Sequence, residues 1–110
     1  MATNVFLSKG AEVTLAGGDV YPGPGGSKQA VVHSIYVSNI DGANSATVDI
    51  KARNTTSDAY RYVAFEVPVP AGSTLVLDKP IDLSSSGTIH MKASATGDLE
   101  TVMGILEIDP

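Results

Sequence analysis

His33 and His90 are the only imidazoles in the chain, and each stands at an alternating position beside aliphatic residues. Acid–base or metal chemistry by imidazole needs company, either a second histidine at close spacing or a cluster of carboxylates. Neither accompanies them, so both are expected to be structural or half-exposed strand residues. The serines fall mostly in turns or on polar strand positions, and none sits in a Gly-x-Ser-x-Gly elbow that would activate it as a nucleophile. Asp41 with Asp49, and Glu100 with Glu107, are spread over turns and outward positions, where solvated charge is the default. Asp41-Gly42-Ala43-Asn44 resembles a fragment of a calcium loop but lacks the further acidic ligands and the closing glutamate. The glycines at 23–26 have no lysine and serine or threonine in phosphate-loop spacing and no following helix. Asn54-Thr55-Thr56 fits a glycosylation acceptor, and with no secretory signal that match is read as coincidental. The expectation is no catalytic residue, no metal site and no cofactor. Recognition chemistry is left to Tyr36, Tyr60 and Tyr62, whose rings would stack on sugars if exposed.

These residues sit on strands. The stretch 30–53 reads as one long strand, a tight turn and a second strand. In the second, Ala46, Val48, Ile50 and Ala52 alternate with Thr47, Asp49, Lys51 and Arg53, the period of two that one buried sheet face produces. In the first, Val31, Ile35 and Val37 are expected on one face, with Val32 and Tyr36 making the other face partly apolar, so the strand is placed mid-sheet and covered on both sides. Asp41-Gly42 between them has the chemistry of a hairpin turn. Val63, Phe65 and Val67 alternate with Tyr60, Tyr62 and Ala64, and Pro68 is expected to end that strand. Residues 74–77 form a short strand, and Ile81 and Leu83 tuck back toward the core. Ile89, Met91, Ala93 and Ala95 alternate with polar residues. Residues 99–108 are apolar on both faces, with Leu99, Met103 and Ile105 opposite Val102, Leu106 and Ile108.

About seven or eight strands with frequent turns and no helical period predict an all-β chain, an antiparallel two-sheet β-sandwich or jelly roll. Strands 30–39 and 99–108 are expected at its centre, with the slowest amide exchange. Residues 1–27 read differently: short strands at 4–8 and 11–16, then the Gly/Pro-rich run 17–27. That segment is expected to be an N-terminal arm set off from a sandwich domain at 28–110. Its apolar residues Val5, Phe6, Leu7, Val13, Leu15 and Tyr21 are the expected contacts with a neighbouring subunit, to which the arm could donate a strand.

Composition narrows the function classes. The 110 residues suit one domain with a core of its own, and with 0 cysteines no disulfide or thiolate site is available. A net charge of -5, with Lys and Arg scattered singly, offers little to a phosphate backbone, so no nucleic-acid partner is expected. No apolar run approaches a membrane span, and Met1-Ala2-Thr3-Asn4 does not open like a secretion signal, so the chain is expected to be soluble, made in a cytoplasm and without a membrane partner. Charged residues make up only 17% of the chain against 43% apolar, which leaves apolar surface for a protein neighbour.

Four stretches carry a resemblance: Val32-His33-Ser34-Ile35-Tyr36-Val37-Ser38-Asn39 with Asp41-Gly42; Val67-Pro68-Val69-Pro70-Ala71-Gly72-Ser73-Thr74-Leu75; Asp78-Lys79-Pro80-Ile81-Asp82-Leu83; and Lys92-Ala93-Ser94-Ala95-Thr96-Gly97-Asp98-Leu99-Glu100. Across roughly residues 28–108 the chain resembles small virion structural proteins of tailed bacteriophages. Such proteins commonly place proline, alanine, glycine and lysine before the first long strand, where this chain has Pro24-Gly25-Gly26-Ser27-Lys28. The resemblance implies a noncatalytic building block of the virion, made in the host cytoplasm and present in many copies on capsid, neck or tail. Its expected partners are itself, as a homo-oligomer such as a trimer, and other virion proteins. The alternative is a jelly-roll module of a fibre or baseplate that reads a carbohydrate or receptor through Tyr36, Tyr60 and Tyr62; the absence of tryptophan and 5% aromatic content weigh against it.

Overall fold

The structure, a computed structural model, describes residues 3–110. Its strands are β1 (Thr3–Val13), β2 (Gly18–Tyr21), β3 (Gln29–Asn39), β4 (Ala46–Arg53), β5 (Arg61–Val69), β6 (Thr74–Leu77), β7 (Ile81–Leu83), β8 (Thr88–Ala93) and β9 (Leu99–Asp109). The first sheet runs β1-β9-β3-β6, with β7 pairing the other half of β3, and the second runs β2-β8-β4-β5. All pairs are antiparallel, and β1 with β9, β2 with β8, β3 with β6 and β7, and β4 with β5 are nested, while β3 with β9 and β4 with β8 join the nested pairs side by side. The chain is thus one long hairpin, folded back at residues 54–60 and rolled into two layers, which is a jelly roll. Pro80 lies in the gap that splits one strand into β6 and β7.

Antiparallel pairing confirms the expected all-β sandwich and its centre, since β3 and β9 lie side by side inside the first sheet. The expected turn does not make a hairpin. β3 and β4 belong to different sheets, and sheets packed ~10 Å apart need a longer crossing than a two-residue turn provides. The buried amide of Asn39 secures that crossing. Its Nδ2 donates to the carbonyls of Asn44 and Val69, both at 2.9 Å, and its Oδ1 accepts the Asp41 N–H at 2.9 Å. Asp41 Oδ1 in turn accepts the N–H groups of Ala43 and Asn44, and these bonds hold the Asp41 carboxyl below the usual range.

Residues expected to form a separate arm are built into both layers. Lys9-Gly10 does not interrupt β1, which pairs with β9 from Thr3 to Val13. β2 forms one edge of the second sheet, so the proposed boundary near residue 27 separates no structural unit. Met1 and Ala2 lie outside the described residues. The Gly/Pro run is tied down rather than hinged: the Gly25 N–H donates to the Ser85 carbonyl at 2.9 Å, and Gly23 sits at φ 95° where a side chain would strike the backbone of Ser85 and Gly87.

Alternation predicts the core where strands are regular and fails where they bulge. Ala46, Val48 and Ile50 of β4, Ile89, Met91 and Ala93 of β8, and Leu99, Met103 and Ile105 of β9 are all buried as expected. In β3 the register shifts between Val32 and Ser34, so Ala30 and Val32 share the inner face with Ile35 and Val37 while Val31 turns outward. In β5 two such shifts and a positive φ at Glu66 reverse the expected faces: Val63 and Phe65 point to solvent, and Ala64 and Val69 are buried. Pro68 does not end β5, because β5 is an edge strand and loses no ladder bond there. Nor is β3 covered on both sides, since Tyr36 on its outer face is exposed.

Candidate interaction surfaces

Cross-strand register sets one row on the outer face of the second sheet. Asp19 of β2 pairs with His90 of β8, His90 with Lys51 of β4, and Lys51 with Tyr62 of β5. Each strand contributes one side chain, so a carboxylate, an imidazole, an ammonium and a phenol lie in sequence across the sheet. Tyr60, in the loop before β5, joins them. Its hydroxyl donates to Asp19 Oδ1 at 2.7 Å, its ring centroid lies 5.5 Å from that of His90, and the Arg53 guanidinium lies 4.3 Å from the ring centroid. Lys51 Nζ lies 4.9 Å from the Tyr62 ring centroid, and Tyr62 meets Phe65 edge-on at 4.7 Å. Desolvation, and then the Asp19 carboxylate, raise the Tyr60 pKa above its ordinary value while Arg53 opposes them, so the phenol stays a hydrogen-bond donor.

One carboxylate organises this cluster. Asp19 Oδ1 also lies 3.2 Å from His90 Nδ1, so one carboxylate oxygen holds both the imidazole and the Tyr60 phenol. His90 Nε2 faces Gly17, 3.1 Å from where a side-chain carbon would stand, and among the described residues no hydroxyl bonds it. Without a nucleophile on the far nitrogen the pair lacks the geometry of a catalytic relay. Among the described residues no three His, Asp or Glu side chains gather as a metal ion would need. The cleft nearest the cluster, of about 540 Å³, is open and runs between β1 and the β2 edge, past Lys9, Glu12, Gly18 and Asp19.

The outer face of the first sheet is different in kind. Phe6, Tyr36, Val76 and Val102 are exposed on it, and Val31 and Leu106 are half-buried between them. Gly104 lies at its middle because the bulge throws the His33 ring across it; a side-chain carbon on Gly104 would come within 2.4 Å of His33 Cε1. A separate apolar groove of about 340 Å³ lies where the β5 and β6 edges meet, lined by Val63, Val76, Leu77, Pro80 and Ile81.

The residues expected at an interface divide accordingly. Phe6 is 76% exposed on the first sheet's outer face, Val5 and Leu15 are exposed, and Leu7 is half-buried against the core. Val13 and Tyr21 are instead core residues, because the strands that carry them lie within this subunit's own sheets. The Tyr21 hydroxyl donates to Glu107 at 2.6 Å and ties the second sheet to the first. Burial first, then the neighbouring Glu107 carboxylate, push its pKa well above the ordinary value. Tyr36 and Tyr62 are exposed and Tyr60 half-exposed, with Tyr36 on the opposite face from the other two. Asp19, Arg53, Phe65 and the placement of His90 beside Tyr60 escape sequence reasoning. Only the pairing of β2 with β8 joins residues 19 and 90, and no local pattern signals it.

No family model matches the chain, and no curated protein matches it in sequence. Among solved structures, all of this chain aligns with 94% of a chain from the capsid of Helicobacter pylori bacteriophage KHP30, at 12% identity and TM-score 0.53. A chain from the Gx strain of infectious bursal disease virus aligns with 97% of this chain at 9% identity and TM-score 0.53, and there the match spans 32% of the viral chain. The shared feature is the fold. This chain is a jelly roll like those of viral capsid proteins.

Proposed function

We propose that this chain is a noncatalytic virion structural protein, present in many copies and bound to itself and to neighbouring capsid, neck or tail proteins in an accessory or decorating role. The observation that carries the reading is the likeness in fold to the phage capsid chain, which takes in this entire chain and nearly all of the other. An outward sheet face bearing Phe6, Tyr36, Val76 and Val102 fits a subunit that spends its working life against other proteins. Mass spectrometry of density-purified particles, with antibody labelling of intact particles in the electron microscope, tests it. Stoichiometric recovery with surface labelling is expected, and a chain absent from particles would refute the reading.

A second reading is favoured by the second sheet, where Tyr60, Tyr62 and Phe65 stand beside Lys51 and Arg53. Aromatic rings flanked by charged donors suit a carbohydrate or receptor reader. A glycan-binding screen with Tyr60→Ala and Tyr62→Ala separates the two. Lost adsorption with intact particles supports the reader, and fragile particles support the building block.

A further inference from the structure

Three of the four sheet edges in this sandwich are blunted and one is left open. We propose that the open edge, β1, pairs antiparallel with β1 of a second copy of this chain, so that the first sheets of two subunits run together as one. The proposal rests on the multi-copy reading above and deepens it by naming the surface and its partner.

A sheet edge presents a row of backbone N–H and C=O groups that pair with any strand able to reach them, and folds guard it with short strands, bulges, prolines and charge. At the far edge of the first sheet, β6 and β7 have 4 and 3 residues and are parted at Pro80. In the second sheet, β2 has 4 residues and a register shift, while β5 carries two shifts and Pro68. β1 has no such device and is charged only at Lys9 and Glu12. It runs 11 residues without proline and pairs with β9 along one side with no break in register. Among the described residues, no backbone hydrogen bond outside that ladder reaches residues 3–13.

The edge fits its own copy. A two-fold axis beside Ser8, perpendicular to the sheet, keeps outward side chains on the outer face and pairs every residue of the strand, through about ten backbone hydrogen bonds. Phe6, 76% exposed, then stands opposite Gly10 of the other copy, and an aromatic ring laid over a strand glycine from the neighbouring strand covers the gap the glycine leaves. Gly10 adjoins Val102 in register, and Val102 adjoins Tyr36, so the row Val31, Leu106, Phe6 of one copy continues as Gly10, Val102, Tyr36 of the other. The Asn4 amide faces the Glu12 carboxylate, and on the inner side Val5 faces Ala11 and Leu7 faces the Lys9 stem. The two Lys9 residues lie only on a diagonal, ~7–8 Å apart, beside the open cleft where water lets their ammonium groups part. Centring on Lys9 instead would set the two lysines directly opposite, and centring on Leu7 would take the ring off the glycine. Either shift leaves two residues of each strand unpaired.

Sedimentation velocity of the full chain over a concentration series tests this, with circular dichroism on each variant. A dimer is expected, weakened about 10-fold or more by Phe6→Ala, which takes two rings out of the pairing, and unmoved by Val76→Lys on β6 at the far edge of the same sheet. With 0 native cysteines, introduced thiols read the register. Directly opposed residues have Cα atoms ~4.5–5.5 Å apart, within reach of a disulfide. Ser8→Cys should therefore link to its own copy on mild oxidation. Asn4→Cys and Glu12→Cys chains should link to each other when mixed and neither to itself, because each stands ~27 Å along the strand from its own counterpart. A monomer at every concentration, a dimer that Val76→Lys removes and Phe6→Ala does not, or a dimer in which Ser8→Cys fails to link overturns the proposal. Particle incorporation is measured separately, so a chain found in particles yet monomeric here would sink this edge pairing and leave the structural reading standing.

Discussion

The two outward faces of this sandwich are built from strands of one chain and one fold, yet their chemistry differs. Across the second sheet, Asp19 bonds His90 and the Tyr60 hydroxyl, Arg53 lies over the Tyr60 ring, and Lys51 lies over the Tyr62 ring. Across the first, Phe6, Val102, Tyr36 and Val76 stand exposed around a middle of serine and glycine. One face engages much of its polar chemistry within the chain, although among the described residues the buried Arg53 Nε has no hydrogen-bond partner and Tyr62 and Phe65 stand exposed beside it. The other leaves apolar surface wet, and burying it is where association would gain most free energy.

The largest effect that would sharpen this contrast is on self-association. Val102→Lys places a charge among the exposed apolar residues of the first face and is expected to weaken self-association about 100-fold or more by sedimentation, whereas Lys92→Glu on the other face should leave it unchanged. Next comes the packing of the bulge. Gly104→Val displaces the far end of the exposed His33 ring, which can swing aside, and should cost no more than about 1 kcal/mol in urea denaturation, against a change within about 0.5 kcal/mol for Lys92→Ala on the exposed second face.

A comparable effect tests the bond that joins the two layers. The Tyr21 pKa is raised in the fold, so the neutral phenol is the form that folding favours. Its contribution is full below the unfolded value of about 10 and is lost as pH climbs past it. Stability should therefore decline in alkali, and Tyr21→Phe should flatten that decline while lowering stability near neutrality by about 1 kcal/mol. Tyr60→Phe on the exposed cluster should cost the least, no more than ~1 kcal/mol, and should leave association untouched. A Tyr60→Phe chain that lost self-association would reverse the roles assigned to the two faces.

Particular strands show how far the sequence could be read. In β4, β8 and β9 the period of two placed every core residue correctly, because an unbroken ladder keeps side chains alternating. In β3 and β5 the same reading put Val31, Val63 and Phe65 on the wrong side, since one inserted residue turns all that follows to the opposite face. Neither His33 nor Glu66 has a side chain that announces a bulge. The tyrosines of the candidate cluster were singled out from sequence, but their charged company was not, because Asp19, Arg53 and His90 are drawn together by strand pairing between distant residues. The N-terminal strands looked weak for a similar reason: a strand with few apolar residues of its own is stabilised by the partner it pairs with, and β9 lies at the other end of the chain.

Side-chain alternation and turn chemistry by themselves determined that this chain forms strands and that the strands stack in two layers. Tertiary structure decided which strand lies beside which, where the ladder slips by a residue, and which distant side chains meet on each outward face. The division has a physical cause. Burial acts on side chains and so leaves its mark in their order, whereas strand pairing is made by backbone N–H and C=O groups that every residue except proline carries alike.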